Sequence, residues 1–273
     1  MEPDRIAVET PRGTFAALAV GAASAPLVLC LHGFPDEPHT FTGLMRALAG
    51  EGFRAVAPWM RGYDPSPLDG DVDQAALAED ALAVADAVSP GQPVGVVGHD
   101  IGSQLAYRLG SAHPGRLTRI VALAGPHPRA VLANAKRSPA QWWRSRYILQ
   151  MQVPGLPERW LRGDWVATLW TRWGSRAPEG HVARVTETIR RSLPGPVRQY
   201  RAAGFEGDPR PVAVPALVLL GERDGCLHPS LARGQEALFA AGVRTEVLED
   251  CGHWPHFDHA EEVARKAVAF LRG

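Results

Sequence analysis

The residues at 26–31, Pro-Leu-Val-Leu-Cys-Leu, form an unbroken apolar run that stops at His32-Gly33-Phe34-Pro35. A run of that length bounded by a loop signal is the mark of a strand buried on both faces. Similar short runs recur at 53–57, 94–97 and 117–124, with another β-like stretch at 14–20. Between them lie helical patterns over 40–49, 73–88 and 101–111. The clearest is 73–88, where Leu77, Ala81, Val84, Ala85 and Val88 share one face and Asp71 or Asp73 can cap the start. Alternation of strand and helix predicts a mostly parallel sheet with helices on both faces.

The pattern breaks at Gly125-Pro126-His127-Pro128 and resumes near Pro211. Residues 126–210 carry helical pieces punctuated by Pro and Gly, and six of the eight tryptophans. The expected organisation is an α/β core over 1–125, an inserted helical cap over 126–210, and the rest of the core over 211–273. That last part reads as strand 216–220, helix 230–241, strand 244–248 and helix 260–271. Large aromatics dominate packing wherever they sit, so most of the tryptophans are expected to fill the insertion's own core.

Composition narrows the function classes. Lys plus Arg and Asp plus Glu both number 29, and no basic run occurs, so a nucleic-acid partner is not expected. No apolar stretch approaches the roughly 20 residues that span a bilayer, and no membrane partner is expected. The first residues, Met-Glu-Pro-Asp-Arg, lack the apolar stretch of a signal peptide. Three widely spaced cysteines, Cys30, Cys226 and Cys251, do not suggest a disulfide framework, so a reducing, cytoplasmic setting is expected. Oligomeric state is not legible, and a homodimer stays open.

Gly98-His99-Asp100-Ile101-Gly102 joins a buried strand to a helix. A tight strand-to-helix turn holds its central side chain exposed and strained, which suits a nucleophile. Aspartate here is ionised at neutral pH and attacks without a base. Attack on an sp3 carbon leaves an alkyl ester. Asp224 follows the strand at 216–220, and His253 lies in a loop after the strand at 244–248. In that order Asp224 orients the imidazole, and His253 activates the water that hydrolyses the ester. The amides of Ile101 and Phe34 are the expected oxyanion donors. His32 and Trp254, beside these motifs, are expected to line the substrate site. The spacing His253-x-x-His256-x-x-His259 beside Asp258 raises a metal site, but no second ligand cluster supports it. No metal or cofactor is therefore expected.

His32-Gly33-Phe34-Pro35-Asp36, Arg61-Gly62-Tyr63, Gly98-His99-Asp100-Ile101-Gly102 and Leu248 to Trp254 together resemble the epoxide hydrolases of the α/β-hydrolase fold, across nearly the whole chain. The resemblance implies a small apolar epoxide as substrate, water as the second reactant, and two cap tyrosines that hydrogen-bond the epoxide oxygen. Tyr147 and Tyr200 match those positions. Dehalogenases of the same fold are the near alternative. Haloalkane dehalogenases normally carry tryptophan after the nucleophile, where this chain has Ile101. Fluoroacetate dehalogenases carry arginines there, and Tyr147 stands where they place a halide-binding tryptophan. A non-catalytic ligand-binding protein on this fold is the alternative of another class. Trp59 and the Tyr63-Asp64-Pro65-Ser66-Pro67 loop depart from the family pattern.

Overall fold

The structure, a computed structural model, describes residues 1–202 and 207–273. Among the described residues eight strands form one sheet: β1 (Asp4–Thr10), β2 (Gly13–Val20), β3 (Leu27–Leu31), β4 (Arg54–Pro58), β5 (Val94–His99), β6 (Leu117–Leu123), β7 (Ala216–Gly221) and β8 (Val243–Leu248). Their order is β1-β2-β4-β3-β5-β6-β7-β8. β2 pairs antiparallel with both β1 and β4, and every other pairing is parallel. The all-apolar runs became the centre: every residue of β3, β5 and β7 is buried.

Helices α1 (Thr42–Gly50), α2 (Gln74–Val88) and α3 (Ile101–Ala112) alternate with these strands. Asp73 caps α2, its carboxylate accepting from the Ala76 amide at 2.8 Å. Among the described residues six helices then separate β6 from β7: α4 (Pro128–Ala135), α5 (Pro139–Met151), α6 (Leu156–Arg162), α7 (Trp165–Trp173), α8 (His181–Ser192) and α9 (Gly195–Ala202). Residues 203–206, inside the insertion expected over 126–210, lie outside the described residues. α10 (Pro255–Asp258) and α11 (Ala260–Arg272) end the chain.

β1 was not expected: it carries no strong apolar signal, because it is an edge strand with only Val8 buried. The helix expected over 230–241 is instead two 3-10 turns, Pro229–Ala232 and Gln235–Leu238. Gly234 between them has φ 74°, a left-handed backbone that ends a helix. Gln235 then turns inward, accepting from the His127 amide and donating to Thr245 Oγ1.

Candidate active site

β5 delivers Asp100 to the carboxyl edge of the sheet, where catalytic groups collect in open α/β folds. Asp100 has φ 50° and ψ −114°, a conformation that costs about 1–3 kcal/mol and persists only where the surroundings fix it. They do. The Asp100 amide donates to Leu123 O at 3.0 Å, and Ser103 Oγ donates to Gly98 O at 2.9 Å. The turn also needs its glycines: a Cβ on Gly102 would lie 1.9 Å from Leu31 O, and one on Gly98 2.4 Å from Gly102 O.

The Asp100 side chain stands at the start of α3 and is 5% exposed. Its Oδ2 accepts from the Phe34 amide at 3.1 Å, and the Ile101 amide is near enough to favour the charged carboxylate. The two amides expected as oxyanion donors therefore both lie beside the Asp100 carboxylate. Burial pushes the Asp100 pKa up; the His253 charge and the two amides oppose this without cancelling it.

Asp224 lies just beyond β7. Its Oδ1 accepts from the Cys226 and Leu227 amides at 2.7 and 2.9 Å, which aims Oδ2 at His253 Nδ1, 2.8 Å away. With Nδ1–H donated to Asp224, Nε2 is the basic nitrogen, and it is buried without a hydrogen bond to protein among the described residues. Burial pulls the His253 pKa down, but Asp224 and then Asp100 outweigh it, and the net shift is upward.

The tyrosines come from different cap helices, Tyr147 from α5 and Tyr200 from α9, and their hydroxyl oxygens are 3.5 Å apart. Tyr147 packs against Trp173 and Tyr200 against Phe34. Both phenols are raised well above 10.0 by burial, with the Asp100 charge adding to it, so both remain O–H donors. Cys226 Sγ lies 3.6 Å from the Tyr147 hydroxyl, a neighbour that sequence reading had not marked.

His32 and Trp254 are both fully buried among protein groups. His32 Nε2 accepts from the Met60 amide at 3.2 Å, and its Nδ1 is 3.0 Å from Gly33 O. Trp254 stacks on Trp170 at 3.5 Å and donates its indole N–H to Asp36 Oδ2 at 2.7 Å. These contacts fix the loops on either side of Asp100 and His253.

Asp36 is the principal residue that sequence reading missed. It is completely buried, and its Oδ1 accepts from the Glu37 amide at 2.9 Å and from His181 Nε2 of α8 at 3.3 Å. Burial raises its pKa, but the hydrogen bond and charge of His181, with His99 and His256 behind it, bring the value down to about 2. His99 Nε2 in turn donates to His253 O at 2.9 Å. An acid directly after an oxyanion loop, in apolar surroundings, is the signal that could have drawn attention to it.

The cap closes over the histidine loop backbone to backbone. Trp173 O accepts from the His253 and Gly225 amides at 3.1 and 3.4 Å, and Ser175 Oγ accepts from the Trp254 amide at 2.8 Å. A Cβ on Gly225 would lie 2.2 Å from Arg172 O. The histidines of the 253–259 spacing go to separate partners: His253 to Asp224, His256 to Thr40, His259 to Glu262. A cleft of about 500 Å³ lies elsewhere, lined by residues such as Arg5, Trp59 and Arg191, and includes none of the proposed catalytic groups.

The model of the alpha/beta hydrolase fold family matches residues 26–260. The chain is 27% identical to the AB hydrolase superfamily protein YfhM of Bacillus subtilis (strain 168), over 97% of this chain and 96% of that protein. It is 27% identical to epoxide hydrolase 3 of Mus musculus, over 93% of this chain and 73% of that protein. Among solved structures, a Bacillus megaterium epoxide hydrolase in complex with an inhibitor superposes with a TM-score of 0.87 at 19% identity, covering 98% of this chain and 100% of that one.

Proposed function

The chain belongs to the alpha/beta hydrolase fold family, and on that footing we propose that it opens an epoxide to a vicinal diol through a covalent ester on Asp100. The observation that carries this reading is the convergence of an aspartate nucleophile, a His253–Asp224 pair at 2.8 Å, and two phenol hydroxyls 3.5 Å apart. Several relatives named as epoxide hydrolases support it. Two adjacent O–H donors opposite a carboxylate suit a three-membered ring, whose oxygen needs a proton or strong hydrogen bonds as it leaves.

In the first step the Asp100 oxygen not held by Phe34 attacks a ring carbon. The carbon–oxygen bond breaks, and Tyr147 and Tyr200 take up the charge on the departing oxygen. In the second step His253 Nε2 removes a proton from water, and the resulting hydroxide adds to the ester carbonyl carbon. The oxyanion forms where the Phe34 and Ile101 amides already point. Collapse releases the alkoxide, which becomes the diol on protonation, and Asp100 regains a carboxylate that now holds one water oxygen.

Charge links the two steps. Asp100 is one of the groups that raise the His253 pKa. Esterification removes that negative charge, so the imidazole becomes easier to keep neutral at the moment it must act as a base. The deciding experiment is a single turnover in heavy-oxygen water. Unlabelled oxygen in the first diol supports the ester; solvent oxygen there on the first turnover rules it out. Halide release from haloalkanes and fluoroacetate, assayed in parallel, distinguishes the dehalogenase alternative.

A further inference from the structure

α5 presents opposite chemistry on its two sides. Its inner face buries Gln141, Tyr147 and Met151. Its outer face exposes Trp142, Trp143 and Leu149 at 63%, 68% and 70%, with Val153 in the following turn at 45%. Spacings of three, four and seven residues put Trp142, Arg146, Leu149 and Val153 along one stripe. Large apolar side chains are rarely left this open, and five of the eight found exposed among the described residues, Leu132 included, belong to α4, α5 and the turn after α5.

The charge carried by α4 and α5 themselves has a single sign. No Asp or Glu occurs between Asp100 and Glu158, while the α4–α5 segment carries Arg129, Lys136, Arg137, Arg144 and Arg146. The guanidinium of Arg146 lies 4.0 Å over the Trp143 ring, and burial, with the charge of Arg172 of α7 adding to it, lowers the Arg146 pKa. Among the described residues none of the five cations of α4–α5 takes part in an ion pair, although acids are paired widely elsewhere.

We propose that the outer face of α5, with the α4–α5 turn, rests on the surface of a bilayer rich in anionic phospholipid. Exposed tryptophans ringed by unpaired arginine and lysine are the composition of helices that lie in the headgroup region. A second copy of this chain fits less well. A two-fold contact would press a patch whose charged groups, Lys136, Arg137 and Arg146 among them, are all positive against the same patch of the other copy. Attachment to a surface is also distinct from crossing it, and no helix among the described residues is long and apolar enough to span a membrane. The docking stands on this face alone. Its use rests on the function proposed above: α5 carries Tyr147 on its inner side, so an apolar epoxide dissolved in the bilayer would meet the protein one helix away from the nucleophile.

The test is sedimentation of the full chain with vesicles of equal parts phosphatidylglycerol and phosphatidylcholine, read without substrate. Co-sedimentation with a blue shift of tryptophan emission is expected, with little binding to phosphatidylcholine alone. The double variant Trp142→Ser/Trp143→Ser should weaken partitioning by about tenfold or more, and Arg137→Glu/Arg146→Glu should do likewise. Both should keep the parent's turnover of a water-soluble epoxide. Absence of binding to the anionic vesicles, or equal binding by the variants, overturns the proposal. So does a dimer in sedimentation velocity that the tryptophan variant dissociates, which would assign the face to a second copy. Vesicle binding is read independently of turnover, so a chain that hydrolyses no epoxide still decides this question.

Discussion

Two buried carboxylates beneath the same cap have opposite acidities. Asp36 is brought down to about 2, whereas Asp100 is raised from its ordinary value. Burial pushes both upward, so the difference lies in their donors. Asp36 has donors on both oxygens: the Glu37 amide and His181 on one, the Trp254 indole on the other. Asp100 is held among the described residues by the Phe34 amide on Oδ2, with the Ile101 amide beside it and no side-chain donor. A carboxylate saturated by hydrogen bonds is an anchor. One with fewer donors keeps lone pairs free, as the role proposed for Asp100 requires.

Exchanging the features of these two acids should break the contrast. Asp100→Ala should lower kcat by about 10⁴-fold or more in a diol-formation assay, by analogy with loss of a nucleophile elsewhere. His253→Gln should leave the first attack intact and slow ester hydrolysis by about 10²–10⁴-fold. Mass spectrometry should then find the variant carrying one substrate equivalent on Asp100; an unmodified protein would contradict the assigned roles. Tyr147→Phe and Tyr200→Phe should each reduce the rate of ring opening by about 10²-fold, measured by pre-steady-state quenching. Equal rates in both variants and the parent would remove the tyrosines from the chemistry.

The elbow and the acid–histidine pair were legible because each is written in a few adjacent residues. A buried run, two glycines and an aspartate specify Asp100 locally, and the end of β7 specifies Asp224. Asp36 was invisible in its role because its partners lie 145 and 218 positions away, on α8 and in the histidine loop. Sequence places His32 and Trp254 beside the site, but the partners that hold their rings, the Met60 amide and Asp36, are set by distant packing. The helix expected over 230–241 failed at one residue, Gly234, whose backbone sign outweighed a sound apolar pattern.

Smaller effects sharpen the comparison. Asp36→Asn should cost about 1–3 kcal/mol in urea melts, because a donor of Trp254 or His181 then faces an amide N–H instead of an anion. The wild-type Asp36 carboxyl lies at about 2 in the fold against an ordinary 3.8. Its stabilisation is therefore complete above the ordinary value and is lost as pH falls from there toward about 2. The variant should show a flatter acid limb over that window. The smallest effect is kinetic. Once Asp100 is esterified, His253 loses a neighbour that raises its pKa. Single-turnover pH profiles should place the acid limb of ester hydrolysis below the imidazole pKa measured by NMR in the resting protein.

The carbonyl of Trp173 receives the His253 and Gly225 amides, and Gly225 has no room for a side chain against Arg172. That end of α7 is thus fastened to the histidine loop, and lifting it would displace His253 along with it. Any opening of the cap that leaves the His253–Asp224 pair in place therefore has to come from helices without this tether. Substitutions that create space should be better tolerated along α5 and α9 than beside Trp173, where added space would be gained at the expense of the loop that holds His253.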